Sequence, residues 1–397
     1  MHELDRADPL RHWRDRFVPM PGVTAYLDGN SLGRPLTASV DRLERFARDE
    51  WAGRLIRGWD EGWLELPMLL GDELGRAALG AAPGQVAIGD STTVLLYKLV
   101  RAALDARPGR TEVVLDRDNF PTDRYVVEGV AADRGLTIRW IETDAAAGVT
   151  PELVAEAVGP GTALVLFSSV AYRSAFIADV PAITEVAHAA GALALWDLSH
   201  AAGSVPTELD AWGVDLAVGC GYKYLGGGPG APAFLYVRGE LQSVLAQPIH
   251  GWLGSRAPFE MGQGYEAAES IRGFLSGTPP ILAMQAMRDV VTAIGEVGMV
   301  AIRAKSVALT TYAIELADEL LPQARLASPR ESERRGGHIT IDHDAFAGML
   351  PALHARGVIP DFRRPNGIRL GMSPLSTSFA EVEAGIRAIA EELAADA

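Results

Sequence analysis

Apolar residues in this chain gather in short unbroken runs rather than alternating stripes. Residues 163–170 read Ala-Leu-Val-Leu-Phe-Ser-Ser-Val, and residues 192–197 read Ala-Leu-Ala-Leu-Trp-Asp. Short continuous runs predict strands buried on both faces, as in a parallel sheet covered by helices. Between them, Pro181 fits the first turn of a helix, with Ile183, Val186 and Ala187 on its inner face and Gly191 as its C-terminal cap. Strand, helix, strand predicts a parallel unit with a right-handed crossover. Ser168 and Asp197 then fall at carboxyl ends of strands, where open α/β sheets bind ligands.

The same reading predicts strands over 113–116, 138–143, 214–220 and 231–237. Helical spacing predicts a helix over 300–321. Strands are expected over 338–342 and 367–371, and an amphipathic helix over 379–393. The expected fold class is α/β, with a mostly parallel central sheet flanked by helices. A chain of 397 residues is too long for one simple core. The expected division is a large domain over 60–290, with a smaller α+β domain built from 1–59 and 291–397.

Composition narrows the function classes. A net charge of −15 argues against a nucleic-acid backbone or an acidic membrane as partner. No run approaches the roughly 18 apolar residues of a membrane span. No basic segment followed by an apolar stretch opens the chain, so the expected location is the cytoplasm. The single cysteine, Cys220, excludes an internal disulfide and a cysteine-built zinc cage, and reads as a small buried apolar residue. No His-Glu-x-x-His is present, and no metal site is expected.

The candidate chemistry begins with lysine. Of 36 basic residues only Lys98, Lys223 and Lys305 are lysines. Lys223 follows an apolar run and precedes Gly226-Gly227-Gly228-Pro229-Gly230, a run without the Lys-Ser or Lys-Thr of a P-loop. Those glycines read as backbone freedom around the lysine. A lysine and Asp197 at the ends of neighbouring strands suit pyridoxal 5'-phosphate (PLP). The amine forms a Schiff base with the cofactor aldehyde, and the carboxylate pairs with the pyridinium nitrogen. Arginine could not stand in for Lys223, because it keeps its proton. Lys98 and Lys305 lie in amphipathic helical patterns and are predicted to face solvent.

Other positions fit this chemistry, each beside a plainer structural reading. Ser91, Thr92 and Thr93 open a helical pattern, either as a phosphate cradle or as an ordinary cap. Phe120 ends a strand and either stacks on a cofactor ring or joins the core. His200 follows Asp197 closely, placing an imidazole near the carboxylate or forming a simple loop hydrogen bond. Arg369 is charged within an apolar strand. It needs a partner, which is either a substrate carboxylate held bidentately or a structural salt bridge.

Taken in order, the segments resemble the kynureninase family, PLP-dependent enzymes of fold type I in the aminotransferase class V group. The resemblance runs from Tyr26-Leu27-Asp28-Gly29-Asn30-Ser31-Leu32-Gly33 through Phe120-Pro121-Thr122-Asp123 and Trp196-Asp197-Leu198-Ser199-His200. It continues with Tyr222-Lys223-Tyr224-Leu225, Gly251-Trp252-Leu253-Gly254, Gly277-Thr278-Pro279-Pro280 and Pro365-Asn366-Gly367-Ile368-Arg369. It implies that Lys223 bonds the cofactor, that Asp197 holds the pyridinium proton with His200 close by, and that Tyr222 assists proton transfer. Thr92 and Thr93 would meet the phosphate, Phe120 would stack on the ring, and Asp123 and Ser168 would complete the shell. Trp252 and Thr278 would reach the cofactor of a second subunit, implying a homodimer. Arg369 would clamp the amino-acid carboxylate, with Asn30, Ser31 and Trp59 also at the substrate.

The implied reaction is hydrolysis of L-kynurenine to anthranilate and L-alanine. Trp59 and Thr278 resemble bacterial forms that prefer kynurenine to its 3-hydroxy derivative. Departures from the family pattern include Ser169, Ala171, Ser174-Ala175, Ala202 and Gly226. A related amino-acid substrate, or a class V C–S lyase, desulfurase or epimerase, is the alternative. A desulfurase needs a mobile cysteine, which Cys220, in a strand beside Lys223, does not readily supply.

Overall fold

The computed structural model describes residues 3–144 and 146–395. Its main sheet has seven strands in the order Val86–Gly89, Ala233–Val237, Leu216–Cys220, Leu193–Asp197, Thr162–Ser168, Glu112–Asp116 and Thr137–Ile141. Ala233–Val237 runs antiparallel to both neighbours, and every other pairing is parallel. Thr162–Ser168 and Leu193–Asp197 pair in parallel, with Ser168 opposite Asp197. Between them lies the helix Val180–Ala189, with Pro181 in its first turn. Gly191, at φ +77°, lies one residue beyond the cap, Ala190.

The unbroken apolar runs follow from burial on both faces of this sheet. Val165, Phe167, Ala194 and Trp196 point into one cluster, while Leu164, Leu166, Leu193 and Leu195 point into the other. Among the elements not read from the sequence are the edge strand Val86–Gly89 and the helices Pro121–Arg134 and Ile281–Val297. The strand has only four residues and its partner, Ala233–Val237, is far along the chain, so local pattern carries little of it.

A second sheet of four strands contains His338–Asp342 and Gly367–Gly371, paired antiparallel with Thr340 opposite Arg369. Helices Met299–Leu320 and Phe379–Ala395 pack on it around a third apolar cluster. The N-terminal segment is divided: Ala25–Tyr26 pairs with Val358–Ile359 and Leu27 lies in the third cluster, whereas Leu10, Trp13, Phe17, Leu36 and Phe46 pack into the first cluster against the main sheet.

Two expectations are corrected here. Lys98 and Lys305 do not face solvent. The Lys98 side chain is fully buried, and its Nζ is 2.6 Å from Asp90 Oδ2. Lys305 is buried against Asp8. Both carboxylates come from outside the lysine's own helix. Helical periodicity reports which face a residue occupies, not whether an acid from another element waits there.

Candidate active site

The strands Leu193–Asp197 and Leu216–Cys220 lie side by side, with Asp197 opposite Val218. Asp197 ends its strand, and Lys223 follows three residues after the end of the next. The turn around Lys223 is held by Gly226 N–H donating to the Lys223 carbonyl at 2.9 Å and Gly227 N–H donating to Gly221 O at 2.8 Å. Gly226 sits at φ +58°, and a Cβ there would lie 2.9 Å from Val290. Left-handed backbone favours glycine, or asparagine at some cost, so the glycine at this family departure satisfies the same turn. Gly33 approaches from the N-terminal segment, donating its N–H to Tyr222 O at 2.8 Å. A Cβ on Gly33 would collide with the Lys223 carbonyl.

Lys223 is nearly buried, with its Nζ 3.1 Å from His200 Nε2. The Nζ also lies 5.6 Å from the centre of the Phe120 ring and 5.9 Å from that of Tyr222. Unlike Lys98 and Lys305, it has no carboxylate within ion-pair distance among the described residues. Burial and the neighbouring Lys223 hold the His200 pKa well below the ordinary value, so the imidazole is neutral. The Tyr222 phenol is pushed up by burial and by Cys220 and keeps its proton. Cys220 is buried, as read from the sequence.

Asp123 is only 1% exposed, and neither of its carboxylate oxygens has a hydrogen-bond partner. Burial, then the charge of Asp197, raises its pKa well above normal. Asp197 is anchored by Ser199 N–H donating to its Oδ1 at 2.8 Å. Two neighbouring buried carboxyl groups, one with no donor of its own, can accept a cationic N–H. A protonated pyridinium nitrogen supplies that group, and PLP fits these residues on that ground.

Ser168 donates to Asn119 Oδ1 at 3.1 Å, and the Phe120 N–H donates to the same oxygen at 2.7 Å. Asn119 thereby locks the strand end to Phe120, which meets Tyr172 edge-on at 5.4 Å. Ser91 caps the helix Thr92–Asp105, accepting from Val94 N–H at 3.4 Å, and Thr92 and Thr93 form its first turn. Arg369 is 1% exposed. It pairs with Asp361 at 2.7 Å, and donates to Tyr172 O at 2.7 Å and Ser31 Oγ at 2.6 Å. With its amide turned so that its oxygen faces Arg369 Nε at 3.2 Å, Asn30 also donates to Asp28 Oδ1 at 3.3 Å. Burial pushes Asp28 up to about 6. Arg369 therefore has a structural ion pair, and Ser31 and Asn30 both lie on its guanidinium.

Trp59 meets Trp252 edge-on at 5.6 Å and Trp63 at 5.7 Å, forming an aromatic wall within one chain. Thr278 is exposed, and no contact joins it to Lys223 in this chain. Asn119, Asp361 and His338 were missed. His338 is fully buried, 5.2 Å from His200 ring to ring, and neither of its nitrogens has a hydrogen-bond partner. The available signal was the one used for Arg369, a polar residue inside an otherwise apolar strand.

Comparison with known proteins places this geometry. The chain superposes on a cystine C–S lyase in complex with its product cysteine persulfide, with a TM-score of 0.83 and 17% identity over 94% of this chain and 98% of that one. It also superposes on the apo cysteine desulfurase from Thermococcus onnurineus NA1, with a TM-score of 0.74 and 19% identity over 94% and 95%. The model of the Cys/Met metabolism PLP-dependent enzymes matches residues 74–231. The fold is thus that of the PLP-dependent enzymes of fold type I, and PLP is the cofactor.

Within that class, the model of the kynureninase C-terminal domain matches residues 302–389. The kynureninase of Pseudomonas fluorescens is 38% identical over 98% of this chain and 94% of its own length. That of Burkholderia pseudomallei strain 1106a is 41% identical over 96% and 91%. This chain belongs to the kynureninase family.

Proposed function

We propose that this chain hydrolyses L-kynurenine to anthranilate and L-alanine, acting as a cytoplasmic homodimer. The observation that carries the reading is Lys223: an amine free of any carboxylate partner, facing a neutral His200, beside the Asp123–Asp197 pair. Full-length similarity to kynureninases supports the substrate. Bound PLP supplies an electron sink for charge developing on the amino-acid carbons. The chain's own residues do the rest. Asp197 and Asp123 hold the cofactor's ring nitrogen protonated. Phe120 covers the ring, and the first turn at Thr92 and Thr93 takes the phosphate, where free N–H groups and the helix dipole favour an anion.

Arg369 receives the substrate carboxylate, oriented for it by Ser31, Asn30 and Asp361. Lys223 Nζ takes and returns protons at the substrate α-carbon, with His200 Nε2 as its hydrogen-bond partner. Tyr222, whose burial keeps it protonated, donates a proton to the departing alanyl fragment. Water supplies the hydroxyl that ends as the anthranilate carboxylate. Trp59 and Thr278 favour an unhydroxylated aryl ring, with Trp252 and Thr278 acting at the partner subunit's site. The test is Lys223→Ala: it should fold and dimerise, yet lose both the visible absorbance of the lysine-bound cofactor and the fluorescent anthranilate product. Retention of either rejects the assignment. Parallel assays with 3-hydroxykynurenine test the aryl preference.

A further inference from the structure

Lys98 has no part in the roles above, yet its ammonium is fully buried and doubly engaged. Its Nζ donates to Asp90 Oδ2 at 2.6 Å and to the Phe274 carbonyl at 3.1 Å. Asp90 stands immediately before the cap Ser91 and adopts φ +46°, a left-handed conformation unusual for a residue with a side chain. Its carbonyl accepts from Ala233 N–H at 3.0 Å, on the strand paired with Val86–Gly89. Asp90 is therefore the corner at which the chain turns from the edge strand into the helix Thr92–Asp105.

Phe274 opens the short segment that ends at Thr278. Leu275 packs against Gly89, where an added Cβ would lie 3.0 Å from it. The Ser276 carbonyl accepts from Leu253 N–H at 3.0 Å, next to Trp252. One ammonium thus ties the start of the helix to the segment bearing Thr278. Burying that charge costs free energy that a methionine of similar length would not incur, so the lysine fits a geometric duty better than a packing one.

We propose that Lys98 is a positioning residue: it locks Asp90 to Phe274, so that the helix start that holds this chain's cofactor phosphate is fixed relative to Thr278, which serves the partner subunit's site. The proposal rests on Thr92 and Thr93 as the phosphate end. It is tested by titrating the apoenzyme with PLP and following visible absorbance, with the melting temperature of each apo variant measured alongside. Asp90→Gly accepts the left-handed backbone without strain and removes the tether, leaving the Lys98 ammonium only the Phe274 carbonyl, so its cofactor affinity should fall by about tenfold or more. Asp90→Asn keeps an acceptor for Nζ and tolerates the same backbone, so it should stay within about threefold of the parent.

An Asp90→Gly protein with parental affinity overturns the proposal. Lys98→Met should match Asp90→Gly in affinity and, at saturating cofactor, also raise KM. An unchanged KM rejects the link to Thr278. If Lys98→Met fails to fold, the two Asp90 variants still decide the phosphate half. Thr93→Val with unchanged PLP affinity would reject the phosphate reading itself, whatever Lys98 does.

Discussion

At the scale of the residue, the three lysines separate by their partners. Lys98 is paired with the half-buried Asp90 and Lys305 with the buried Asp8, whereas Lys223 faces a neutral imidazole. Those two amines are engaged by their acids, which leaves Lys223 as the amine free to attack a cofactor aldehyde. Buried acids leave a second signature. Asp116 is held at about 7, against an ordinary 3.8, mainly because burial penalises its charge. A carboxyl whose folded-state pKa is raised binds its proton more tightly when folded. Its cost to stability is therefore absent at low pH and grows as pH rises from about 4 to about 7. Asp116→Asn should melt with the parent protein near pH 4 and a few degrees above it at pH 8. Thermal melts across that range check this, and a variant that melts lower at pH 8 contradicts the burial argument.

At the scale of the element, the site depends on three segments meeting at the carboxyl ends of the sheet. The lysine turn is clamped from outside by Gly33, which has no room for a side chain against the Lys223 carbonyl. Gly33→Ala should push that turn away and weaken cofactor binding by about tenfold, or ~1.4 kcal/mol, without removing any group that touches the cofactor. PLP titration of the apo variant measures this, and parental affinity would mean the turn yields freely. The loop following Thr162–Ser168 is strained in its own right. Ala175, one of the departures from the family pattern, holds φ +63° at 0% exposure. That loop delivers the Tyr172 carbonyl to Arg369, so it serves the carboxylate end of the site.

At the scale of the whole molecule, Thr278 lies on the surface of the single chain. That residue is exposed and far in sequence from the strands that carry Lys223 and Asp197. If Trp252 and Thr278 serve a second subunit, mixing two inactive proteins should restore activity. A Lys223→Ala chain paired with a Trp252→Ala chain leaves one site with both residues intact. Activity should appear on subunit exchange and be absent from either variant alone. Mixed dimers that stay inactive reject the shared site. Among the described residues no helix is long and apolar enough to cross a membrane.

Much of this protein was legible from the linear chain because its signals are local. Continuous apolar runs marked the strands at 163–170 and 192–197, since a sheet covered on both faces admits no polar alternation. Lys223 and Asp197 stood out as candidates because cofactor chemistry calls for those residue types at strand ends, and the ordered motifs identified the family. The partners of the lysines, the Asp361 and Asn30 contacts of Arg369, and the juxtaposition of His338 with His200 were not. Each joins residues distant along the chain, and burial and pairing arise only when separate elements pack. Sequence by itself determined which groups were available for the chemistry; tertiary packing decided which were neutralised and which was left free to react.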